Sequence, residues 1–113
     1  MTRYLISFPQ GAMTFPEEEL PEVANAAHAV SHEAKNAGVW VFGGGLSAHE
    51  QASVVAMDGT VTDSTYPKST DHLGGFAVVD VPLREEALEW AAKIAVACRC
   101  AQEVRELVPD PDV

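Results

Sequence analysis

"LGGFAVVDVPLREEALEWAAKIAVACR", residues 73–99, changes periodicity half-way, and that change decides the fold. Up to Val81 the run is apolar on both sides, rich in β-branched residues and opened by Gly74-Gly75, which reads as a central strand. Beyond Pro82 the apolar residues Ala87, Ala91, Ile94, Ala95 and Cys98 recur at spacings of three and four, the inner stripe of an amphipathic helix. Strand then runs straight into helix. Trp40 and Trp90 read most simply as packing residues; Trp90 lies off that stripe, which leaves a partner surface as its alternative.

The N-terminal half repeats the succession. Tyr4 to Phe8 is a short apolar strand ended by Pro9-Gln10-Gly11. Leu20, Val23, Ala27, Val30, Ala34 and Ala37 mark the buried stripe of a helix from about Pro21 to Ala37. The acidic run Glu17 to Glu22 suits its positive end, and Gly38 stops it. A stripe made mostly of alanine requires the helix to lie close against its sheet. Val39 to Phe42 forms the next strand, followed by Gly43-Gly44-Gly45, where the backbone bends or is closely approached. Between the halves, "ASVVAMDGTVTD" places Asp58-Gly59 between two β-prone runs, a hairpin signal. A last strand from about Gln102 to Val108 leads into a polar tail.

The resulting order is β-α-β, hairpin, β-α-β: an α+β chain with an antiparallel sheet and both helices on one face. Residues 1–108 form one domain and 109–113 a polar tail. The opposite face stays uncovered, yet Val39, Val41, Val54, Phe76 and Val78 supply apolar residues to both sides. A second subunit is the simplest cover, so a homodimer is expected. In a chain of 113 residues an interface between copies is also a less costly place for a cavity than the core.

The formal charge of −10, from 17 acidic and 7 basic residues, excludes a basic footprint for nucleic acid or for an anionic membrane. Cys98 and Cys100 have neither disulfide-framework nor zinc spacing and read as small buried hydrophobes. The start "MTRYLISFPQ" lacks secretory features, and no run approaches the roughly 18 apolar residues of a membrane span, so a cytoplasmic location is expected.

Chemistry concentrates at two places. His28 and His32 stand at i and i+4 on the first helix, but His32 points away from the buried stripe, so no metal site and no cofactor are expected. His28 lies at the helix flank, either as a half-exposed histidine or at a pocket edge. The second place is the polar stretch after the hairpin, holding Asp63, Lys68, Asp71 and His72. Asp63 either caps a turn or sits beside a histidine, fixing its tautomer for proton transfer.

Thr62-Asp63, Leu73-Gly74-Gly75-Phe76, "EALEWAAKI" at Glu86 to Ile94, "GGGL" and "AH…HEAKNAG" together resemble the YCII-related proteins. Within them, the likeness is to the group with the signature TDGPFAETKEQLGG. It runs from Tyr4 to about Leu107. The resemblance implies a ferredoxin-like fold that dimerises sheet to sheet as a dimeric α/β barrel. It also implies a pocket between sheet and helices in which His28 and Asp63 form an acid–base pair. Gly44 stands where the family's glycine-rich turn has glutamate, and Ser64-Thr65-Tyr66 where the signature has Gly-Pro-Phe. Its lysine is replaced by Thr70. Gly44, Tyr66, Lys68, Asp71 and His72 are the expected pocket residues. The expected function is acid–base chemistry on a small organic ligand; the alternative is a non-catalytic small-molecule-binding or regulatory partner module.

Overall fold

Tyr4 opposite Val79 and Ile6 opposite Ala77 mark the centre of the sheet. The computed structural model describes residues 1–63 and 72–113. Along the chain run β1 (Thr2–Pro9), α1 (Leu20–Asn36), β2 (Trp40–Gly45), β3 (Val54–Val55), β4 (Val61–Thr62), β5 (Leu73–Val81), α2 (Arg84–Cys98) and β6 (Glu103–Glu106). Four strands form one sheet in the order β2-β5-β1-β6, each neighbouring pair antiparallel. Each strand–helix–strand unit therefore skips one strand, which is the ferredoxin-like arrangement expected from the sequence.

Alternation along β1 and β5 divides the sheet into two faces. Tyr4, Ile6, Val79 and Val81 pack with Ala87 and Ala91 of α2, and Val39, Trp90, Ile94 and Val104 close around them. Trp90 thus packs against the core, the simpler of its two readings, with the Lys93 ammonium 4.9 Å from its ring centre. Its indole reaches the core from the flank of an alanine stripe too shallow to hold it off. On α1, Val23 and Ala34 are buried, but Leu20 is 53 % exposed. Periodicity assigns a helix face; it does not say how far along the helix the sheet reaches. The helices are tied by the Lys93–Glu33 ion pair and by Arg99, which lies 2.6 Å from Glu19 and 3.6 Å from Glu22.

The other face carries Leu5 opposite Val78, Ser7 opposite Phe76, and Arg3 opposite Asp80. Phe42 extends this row, 56 % exposed, its ring meeting that of Phe76 edge-on at 5.4 Å. Asp80 Oδ1 is buried there without a hydrogen-bond partner among the described residues, while Oδ2 lies 3.9 Å from Arg3 Nε.

β2 is longer than the sequence suggests, because it continues through the glycines. It contains a bulge: Trp40 pairs with Val79 and Phe42 with Val78, leaving Val41 as the extra residue. Trp40 consequently faces the helices and Phe42 the open side, although they are two positions apart. At Gly43 a Cβ would lie 2.6 Å from the Phe76 carbonyl oxygen, so the strands pack at a distance only glycine permits.

β3 and β4 form a separate two-stranded hairpin. Gly59, at φ +89°, donates its N–H to the Ala56 carbonyl at 2.9 Å, and Ala56 donates to the Thr60 carbonyl at 2.8 Å. This is a three-residue loop closed by a left-handed glycine, a variant of the two-residue turn. Hydrogen bonds from Thr60, side chain first and backbone second, hold the Asp58 carboxyl below its ordinary range.

Candidate functional site

Between the helix-facing side of the sheet and the two helices lies a cleft of about 460 Å³. Its floor is apolar: Ile6 and Phe8 from β1 and Ala77 from β5, the helix-facing alternates of those strands. One side is the bulged strand, with Trp40 and Gly43 to Gly45. Ile94, Ala97 and Cys98 of α2 close the inner end. The remaining wall is α1, where His28, Ser31 and Lys35 look onto the cleft at helical spacings of three and four.

His28 is solvent-exposed, and its carbonyl accepts a hydrogen bond from Ser31 Oγ at 2.9 Å, a local bond that leaves the imidazole unengaged by it. The Lys35 ammonium lies 6.0 Å from the Trp40 ring centre, within range of a cation–π contact. Burial, and secondarily the neighbouring Cys100 thiolate, pushes the Cys98 thiol above its ordinary value, so it faces the cleft uncharged at neutral pH. Arg99 adopts a left-handed conformation at φ 59° between two free cysteines. Gln102 donates through Nε2 to the Cys100 carbonyl at 3.3 Å. Although the chain carries 17 acidic residues, no aspartate or glutamate lines the cleft among the described residues.

Of the residues singled out in the sequence, His28 and Gly44 line this cleft. Asp63 does not: it follows β4, is exposed, and accepts a hydrogen bond from Ser53 Oγ at 2.9 Å. Among the described residues the carboxylate is thus bonded across the base of the hairpin. His72 also lies away from the cleft, stacked on His49 with ring centres 4.3 Å apart and planes within 9°. Gln10 joins that pair, its Oε1 accepting from the His49 N–H at 2.8 Å and lying 3.0 Å from His49 Nδ1. Tyr66, Lys68 and Asp71 lie outside the described residues. No cluster of three or more metal-ligating side chains occurs among the described residues.

Ser31, Lys35, Trp40 and Gln102 are cleft residues that sequence reasoning passed over. The first two were accessible to it, since they share a helix face with His28. Trp40 was not, because only the bulge turns it inward.

No helix among the described residues is long and apolar enough to cross a membrane. The YCII-related domain matches the chain over residues 3–109. No curated protein matches the chain.

Proposed function

The chain belongs to the YCII-related domain family, and on that premise we propose that it binds a small organic molecule in the cleft, with His28 transferring protons at its edge. One observation carries this reading: an exposed imidazole on the rim of a largely apolar cleft of about 460 Å³, a size usual for small-molecule sites. Histidine is the side chain best matched to proton transfer near neutral pH. Within one chain His28 acts without Asp63, whose carboxylate is bonded to Ser53.

A non-catalytic binding or regulatory module is the second reading. It is favoured by the absence of any carboxylate beside His28 to fix its tautomer among the described residues lining the cleft. Phenylpyruvate separates the two, since it offers an apolar ring and a methylene that enolises. Binding is read from Trp40 fluorescence in a Trp90→Phe background, and proton transfer from deuterium uptake at the methylene in heavy water. Catalysis predicts accelerated uptake that disappears in His28→Gln while binding persists. Binding without acceleration establishes the module instead, and no response of Trp40 removes both.

A second copy of the chain is proposed to cover the open face of the sheet. Its support is the apolar row Leu5, Phe42, Phe76 and Val78, together with the Asp80 oxygen that has no partner among the described residues.

A further inference from the structure

The cleft's charge identifies the class of ligand it takes. We infer that the site selects small apolar carboxylates, with the Lys35 ammonium receiving the carboxylate beside Trp40. The inference rests on the proposed cleft and adds the chemistry of its occupant.

Lysine and histidine are the cleft's basic side chains, and no carboxylate among the described residues stands on its lining. This is unexpected for a chain of charge −10, in which acids outnumber bases 17 to 7. Three other cations are engaged elsewhere: Arg3 lies 3.9 Å from Asp80, Lys93 pairs with Glu33, and Arg99 with Glu19 and Glu22. Among the described residues Lys35 has no ion-pair partner within 4.0 Å. Its aliphatic stem and the Trp40 ring provide apolar surface next to the charge, the combination that suits an anionic group attached to a hydrocarbon body.

Free carbonyls at the C-terminal end of α1 would repel an anion. They are satisfied, however: the Glu33, Ala34 and Lys35 carbonyls accept from the backbone N–H groups of Ala37, Val39 and Gly38. Cys98 contributes no negative charge at neutral pH, since burial raises its thiol. The acidic exterior acts only at long range and is screened over about 8 Å at physiological salt. The local charge therefore decides selectivity. A volume of about 460 Å³ is about three times the roughly 150 Å³ that encloses one benzene ring, so an aromatic or short alkyl carboxylate fits with space to spare.

The test uses three probes of one shape: phenylacetate, phenylacetamide and 2-phenylethylammonium. Each is titrated into the full-length protein at pH 7.5 while the Trp40 indole and Ile94 methyl resonances are followed. Phenylacetate is expected to bind about tenfold more tightly than the amide, with the ammonium weakest. Lys35→Met keeps the stem on Trp40 and should bring acid and amide within about twofold of each other. Equal binding of all three, or a preference that survives Lys35→Met, overturns the carboxylate inference and leaves the cleft as a neutral binding site. If none of the probes moves the Trp40 and Ile94 signals, the cleft reading itself falls, and the inference with it.

Discussion

A methyl group at Gly43 would sit 2.6 Å from the Phe76 carbonyl oxygen and 3.0 Å from the Ala77 Cα, both backbone atoms of the central strand. Neither atom can yield without moving the sheet, so Gly43→Ala should destabilise the fold by about 2 kcal/mol in urea unfolding. Gly44→Ala is its control, because a Cβ there meets nothing within 4 Å. It should change stability by no more than about 0.5 kcal/mol. Cys98 gives a second residue-scale expectation. Burial, then the Cys100 charge, raises its folded pKa above the unfolded value of about 8.5. An unfolded chain then loses this proton first as pH rises. The stability linked to Cys98 is full below about pH 8.5 and is lost as pH climbs through the folded pKa. Urea midpoints measured from pH 7 to pH 10 should fall less steeply in Cys98→Ala than in wild type.

At the scale of elements, the β3–β4 hairpin stands apart from the four-stranded sheet, and two strands alone are marginally stable in water. Gly59→Ala places a side chain at φ +89°, which costs about 1 kcal/mol or more. That cost should remain local. Amide exchange at Ala56 should accelerate roughly fivefold, with the global urea midpoint unchanged. Sequence reasoning saw this hairpin because Asp-Gly is a short-range signal, and it saw the two strand–helix units because their periods are 2 and 3.6. It read β2 as ending at Phe42, since a glycine run carries no side-chain alternation to mark pairing; the strand reaches Gly45 because β5 supplies the partners. The cleft was half legible. His28 announced itself as a titratable group at a helix flank, and Ser31 and Lys35 sat on the same face. The His49–His72 stack was not legible, because the two residues lie 23 positions apart in segments outside the strands and only the folded chain brings them together. For Asp63 the sequence leaves two roles open, and no local pattern marks Ser53 as the partner of its carboxylate.

On the scale of the whole molecule, the sheet is packed by helices on one side only, and the second side presents phenylalanines to water. If two copies close over that side, sedimentation equilibrium at micromolar concentration should give twice 12.1 kDa. An obligate interface of this kind buries on the order of 1,500 Å² or more. Phe42→Glu, which puts a charge into an exposed part of the row, should halve the mass while leaving the far-ultraviolet circular dichroism unchanged. A monomeric wild-type protein would require the open face to be stable in water as it stands.

Val41 has a consequence for how this chain tolerates changes in length. In a regular strand, removing one residue sends every later side chain to the opposite face. In β2 the bulge has already absorbed one residue. Deleting Val41 would leave Trp40 opposite Val79, Phe42 opposite Val78 and Gly43 opposite Ala77, with each side chain on its present side. The strand that walls the cleft can therefore lose a residue at this point without exchanging inside for outside, whereas a deletion in the regular stretch of β1 from Thr2 to Phe8 would send that strand's later side chains to the other face.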